Sequence, residues 1–320
     1  MKNVKTLLIF MTISAFTFAS ETRVNALGGA GFWADDYANI EAFPASVNNH
    51  QVAWTDGSDF TSVWNVDGTT WGFAGGSEDD IANLWWGNGT MGVNFGLGQS
   101  PEVKAEDDAM NCGIDGASTC VADANTALSI GFGMPVAGMD FGLNYGMGCA
   151  DCGGGNVGIN LRRAQNIWLF ENMLINFDMG MKDDETAETM DFTTHFYTNK
   201  SYDNGVNSLF ALGLNYASAG CIGDGCEAPD AAMGIVWNFA VESSMTDWAT
   251  IRLGYNHAYD FSSGGVPGGG LVVGLGFNYG SFNLDMSLAD HNAMLTDPVK
   301  YITGYNDSPL GAQWTISYNW

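Results

Sequence analysis

The chain of 320 residues predicts an all-β fold, a transmembrane antiparallel β-barrel of about 14 strands within a range of about 12 to 16. Three observations carry this expectation. From residue 51 to the C-terminus, short segments alternate apolar with small polar residues, the period of a strand with one greasy and one wet face. No stretch after residue 20 has the length and apolarity of a membrane-crossing helix. The connections between segments are short and long by turns, as when every second hairpin returns to the same side of a membrane.

Composition narrows the alternatives. The chain has 43 glycines, 13% aromatic residues and 14% charged residues, against about 25% charged in soluble domains. A soluble sandwich would place Lys and Glu on its open face. Here the polar phase is Gly, Ser, Thr, Asn and Asp, which suits a crowded lumen. A formal net charge of −26 leaves no basic surface for nucleic acid or an anionic phosphate.

Residues 1–20 read as a secretory signal peptide. Lys2 and Lys5 precede an apolar run, and Phe18-Ala19-Ser20 offers a small-residue cleavage site. The run is short of the roughly 20 residues of a spanning anchor, and no cysteine follows it for lipidation. Removing these two lysines takes the formal charge from −26 to −28.

Residues 21–50 are not strand-like. Ala26-Leu27-Gly28-Gly29-Ala30-Gly31 leads to Asp35-Asp36-Tyr37-Ala38-Asn39 and then Phe43-Pro44-Ala45-Ser46. This order resembles the N-terminal segment of the FadL/PorV-like outer-membrane proteins, relatives of the long-chain fatty-acid transporters, with Phe43 where that family has Asn. The resemblance implies that Gly28, Gly29, Gly31, Pro44 and Ala45 belong to a segment folded inside the barrel as a plug. Glycine there lets backbone pass close to backbone. A disordered leader is the competing reading. The division is then residues 1–20 signal peptide, 21–50 plug and 51–320 barrel.

Asp56-Gly57, Asp67-Gly68 and Asn88-Gly89 are tight-turn signals, with strands over residues 60–66, 69–74 and 81–87 between them. Residues 51–66 read either as plug or as two short strands. Clearer strands follow, with outward sets such as Met91, Val93, Phe95, Leu97 and Phe210, Leu212, Leu214, Tyr216. Trp85, Trp86, Trp168, Trp248 and Tyr259 near strand ends are expected in interfacial girdles. The final stretch sets Ala312, Trp314, Ile316, Tyr318 and Trp320 against Gln313, Thr315, Ser317 and Asn319. A last strand ending in an aromatic resembles the closing strand of bacterial outer-membrane barrels. That resemblance implies pairing with the first strand and a role for Trp320 in recognition by the barrel-insertion machinery. It also implies an outer membrane of the Gram-negative type, with its lipid and lipopolysaccharide as surroundings.

The inward phase carries Asp140, Asp178, Asp191, Glu242 and Asp285 against Arg162 and Arg252, with His195 near Asp191: a wall richer in acid than in base. Cys112 with Cys120, Cys149 with Cys152, and Cys221 with Cys226 each fall in one outer loop, and an oxidising compartment favours local disulfides. Cys149-Ala150-Asp151-Cys152 could instead be a redox or metal motif, but no second such pair accompanies it. Acidic clusters such as Asp35-Asp36 lack the spacing of a Ca²⁺ loop. No metal or cofactor is expected. There is no Gly-x-Ser-x-Gly elbow and the histidines are scattered, so no enzyme is expected either. Two functions stay open. One is passage of small molecules, hydrophobic ligands included, across the outer membrane. The other is a plugged surface or secretion scaffold whose loops bind a partner.

Overall fold

A computed structural model describes residues 21–27, 29, 31–76, 80–100, 125–147, 154–181, 188–220, 228, 230–262, 270–288 and 312–320. Its strands are β1 (Val52–Thr55), β2 (Asp59–Val66), β3 (Thr69–Gly76), β4 (Asp80–Gly87), β5 (Gly92–Ser100), β6 (Asn125–Val136), β7 (Met139–Met147) and β8 (Gly154–Ile167). They continue as β9 (Phe170–Met181), β10 (Thr189–Ser201), β11 (Val206–Ala219), β12 (Ala232–Thr246), β13 (Ala249–Asp260), β14 (Gly270–Tyr279), β15 (Phe282–Leu288) and β16 (Ala312–Asn319). Each pairs antiparallel with the next, and β16 pairs with β1 to close the barrel.

The ring therefore has 16 strands rather than about 14. Residues 51–66, which read as plug or strands, form β1 and β2. β1 is four residues long and buries apolar Val52 on its inner side, so it lacks the greasy-out, polar-in alternation that reveals the other strands.

Local chemistry sets the hairpins. Asp67 and Gly68 both adopt positive φ (52° and 81°) between β2 and β3, as a two-residue turn matched to strand twist requires. One end of the barrel carries connections of two to four residues: 67–68, 88–91, 137–138, 168–169, 202–205, 247–248 and 280–281. The start of β1 and the end of β16 lie at that same end. Every longer connection between strands is at the other.

The two faces invert the soluble pattern. Phe60, Trp71, Leu84, Phe95, Ile130, Leu214 and Phe239 are exposed on the outer face, while Thr61, Asn160, Arg162, Glu242, Arg252 and Asp285 are buried on the inner. In the last strand Trp314, Ile316 and Tyr318 are exposed, whereas Thr315 and Ser317 are buried. Trp168, Trp248 and Trp320 are exposed at the short-turn end, and Tyr259 is exposed at the other. Trp85 departs from the girdle reading: it is buried inside with Tyr37, Val47, Val63 and Ala74. Neighbours on a strand point to opposite faces, so Trp85 and Trp86 cannot both face outward.

The described residues of 21–50 pack on the inner face. Helix α1 (Glu21–Ala26) lies on β13 to β16, and a 3-10 helix, Pro44–Asn49, lies on β3 to β7. A shorter 3-10 turn, Tyr37–Asn39, is capped by the Asp36 carboxylate, which accepts from the Ala38 N–H at 2.9 Å. Asn39 holds the loop before it, accepting from the Gly31 N–H (3.1 Å) and donating to the carbonyls of Trp33 (2.6 Å) and Asp36 (2.9 Å). Helices this short do not stand alone in water. Burial of Leu27, Phe32, Trp33 and Phe43 with Leu174, Tyr197 and Leu209 of the wall holds them.

Candidate functional site

The candidate site is the inner face where residues 21–50 meet the strands. Register places Gly87, Gly92, Gly133 and Gly142 side by side on β4 to β7, followed by Asn160 on β8 and Asn176 on β9. Residues 42–45 cross this row. A Cβ at Gly133 would lie 2.5 Å from the Ala45 nitrogen and 3.0 Å from that of Pro44, and one at Gly142 would overlap the Ala42 carbonyl oxygen. Backbone lies on backbone here because no side chain intervenes. Asn160 donates to the Ala42 carbonyl at 3.1 Å. Asn48 donates to the Met91 carbonyl at 3.0 Å and accepts from the Gly89 N–H at 2.7 Å, tying the second 3-10 helix to the β4–β5 turn.

On the opposite side a chain of buried charges joins α1 to the wall. Arg23 Nε donates to Glu242 Oε2 at 2.7 Å and its Nη2 to Oε1 at 3.0 Å. Arg252 Nε shares Oε2 at 2.7 Å, and its Nη1 donates to Asp285 Oδ1 at 2.6 Å. Arg23 Nη1 also stands 3.6 Å from Asp36 Oδ2. All five side chains are buried. Gly276 makes room for this: a Cβ there would lie 2.6 Å from Arg252 Nη2. Burial works against the Arg23 charge, but the Glu242 and Asp36 carboxylates outweigh it and hold its pKa above the ordinary value. Burial pushes the Asp36 carboxyl up to about 7, against the pull of Arg23. His50, buried at the foot of β1 with Tyr37 edge-on at 6.3 Å, is lowered by burial to about 4.

A second arginine joins the segment to β7 and β8. Arg162 pairs with Asp140 at 3.0 Å, donates to the Gly31 carbonyl at 3.1 Å, and stacks its guanidinium over Phe43 at 4.6 Å. Asn199 donates to the Phe32 carbonyl at 2.5 Å. His195 packs edge-on against Phe32 at 5.1 Å as part of the wall.

The eight inward residues read from the sequence thus divide. Asp140 with Arg162, and Glu242 with Arg252 and Asp285, are in two ionic groups that also hold the segment. Asp178 and Asp191 face each other in register across β9 and β10, exposed in the half of the lumen toward the long connections. Of the eight, this pair holds the acids that stand apart from the two wall arginines, each of which is engaged with carboxylates. Ser129, Asn156 and Thr189 are exposed on the same half.

Of the segment residues, Gly29 and Gly31 have positive φ (132° and 90°), Pro44 opens the second 3-10 helix and Ala45 follows it. Gly28 and the six cysteines lie outside the described residues. Sequence reasoning did not find Arg23, Asn39, Asn160 or Asn199. A signal existed for the first: Arg23 is the sole Lys or Arg between Lys5 and Lys104.

No protein-family model matches the chain, and no curated protein sequence matches it. Solved structures do. A porin is similar at 10% identity over 84% of this chain and 96% of its own, with a TM-score of 0.42. The P. putida toluene transporter TodX is similar at 9% identity over 95% and 98%, with a TM-score of 0.41. A chain from work on asymmetric conductivity of engineered proteins is similar at 11% identity over 82% and 89%, with a TM-score of 0.37. At such scores the functional reading rests on this chain's own residues.

Proposed function

We propose that the protein is an outer-membrane β-barrel that passes small molecules, hydrophobic ones included, with residues 21–50 acting as a plug that must shift for passage. The observation that carries the reading is a closed ring, apolar outside, whose inner face is polar and water-exposed at Ser129, Asn156, Asp178, Thr189 and Asp191. An apolar exterior of this extent is stable only against lipid, and a closed ring leaves no unpaired strand edge there. Export by the signal peptide, residence in a Gram-negative-type outer membrane with its lipopolysaccharide, and insertion through recognition of Trp320 complete the proposal. So does membership of the FadL/PorV-like group. The reading is of a transport protein and not of an enzyme.

One observation favours the second reading, a plugged scaffold whose disulfide-linked outer loops bind a partner. Residues 42–45 lie directly on the glycine row, and the segment is held there by buried ion pairs. Solute flux into liposomes separates the two. Wild-type flux that rises when residues 21–50 are deleted supports passage. No flux from the wild type or from a folded deletion variant leaves the scaffold.

A further inference from the structure

The wall contribution to the buried charge chain is unbalanced: Glu242 and Asp285 are two carboxylates against the single guanidinium of Arg252. Arg23 supplies the second cation, and it comes from the segment rather than from a strand. The geometry around it is that of a receptor for a planar cation. Both Glu242 oxygens accept from it in a two-point fork, and Asn207 supports Oε1 from β11 at 3.3 Å. The Trp33 ring covers the guanidinium at 5.4 Å, and Asp36 approaches the third nitrogen. Glu242 itself is 2% exposed, so an empty site would leave an excess buried carboxylate.

We propose that Glu242, with Asn207, Asp36 and Trp33 around it, is a guanidinium-binding site that Arg23 occupies as a tethered ligand. A free guanidinium-bearing solute of the same shape takes the place of the Arg23 side chain where that side chain is absent. The proposal rests on the plugged-barrel reading and adds to it a class of ligand. Compact ammonium ions lack the planar fork and fit the site poorly.

The test uses detergent-folded full-length protein, with Arg23→Ala and Arg23→Ala/Glu242→Gln variants whose closed barrels are checked by heat-modifiable migration. Hydrogen exchange at residues 31–49 is followed with and without methylguanidinium chloride at low millimolar concentration, with methylammonium chloride as the control. Arg23→Ala should speed exchange there by about tenfold or more. Methylguanidinium should restore most of the protection, methylammonium should not, and Glu242→Gln should abolish the rescue. Unchanged exchange in Arg23→Ala, rescue by neither cation, or equal rescue by both would overturn the site. Planar-bilayer conductance of the same samples addresses the plug separately. Selective rescue without any conductance keeps the site and removes the passage reading, whereas conductance without selective rescue does the reverse.

Discussion

Substituting Gly133 by alanine tests whether the glycine row is a bed for residues 42–45. The added methyl would stand 2.5 Å from the Ala45 nitrogen and 3.1 Å from Pro44 Cδ. Ordinary contact is about 3.5 Å, so the segment must move out by about 1 Å (3.5 − 2.5). Overpacking against backbone costs about 1–3 kcal/mol, a shift of roughly 5- to 150-fold from docked to undocked segment. Gly131, two residues earlier on the same face of β6, is the internal control. A Cβ there would meet Asn94 Oδ1 and Cγ and Asn144 Oδ1, side chains of the wall rather than backbone of the segment. Gly131→Ala therefore loads the wall and not the segment, and exchange at residues 42–49 should stay near the wild-type rate. Hydrogen exchange at residues 42–49 reads the docking, and heat-modifiable migration reports the barrel, which should remain closed in both variants. Equal exchange in the two variants, or loss of the barrel in Gly133→Ala alone, would refute the idea that the row exists to seat the segment.

Three further outcomes are expected. His50 is buried neutral, so its contribution to docking is full above its ordinary value of 6.5 and is lost as pH falls toward about 4. Exchange at residues 31–49 should rise across that window in wild type and less so in His50→Phe. Asp36 works in the other sense: with its pKa raised from 3.8 to about 7, its contribution is lost as pH rises through that interval, and Asp36→Asn should flatten the neutral limb of the same profile. Finally, non-reducing peptide mapping of exported protein should join Cys112 to Cys120, Cys149 to Cys152 and Cys221 to Cys226, and free thiols at all six would contradict the oxidising-compartment reading.

Much of the barrel could be read from pattern because each strand faces two solvents. Trp314, Ile316 and Tyr318 against Thr315 and Ser317 is a pattern that burial alone dictates, and the structure keeps it. What failed to show were places where the inner face is not wet. Val52 and Trp85 point inward because Tyr37, Ile40 and Val47 of the segment give them an apolar partner, which inverts the expected phase. The ionic groups were half visible. Asp140 and Arg162 were placed on the inner face, but that they stand opposite one another depends on strand register. Arg23 and Glu242 are 219 residues apart, and no periodicity links a short helix to a distant strand. The glycine row was visible as composition but not as a row, for the same reason.

The join between β1 and β16 runs over four residues, against thirteen between β10 and β11. The join between β1 and β2 is just as short, so β1 is held by four residue pairs on each side. Few backbone hydrogen bonds must form there for the circle to complete, and few must break for it to part. Residues 21–50 run directly into β1, so the strand with the fewest paired residues also anchors the segment. A pull from residue 21 therefore meets the ion pair of α1 with Glu242 on β12 first, and reaches the four-residue joins of β1 only once the segment has been drawn out.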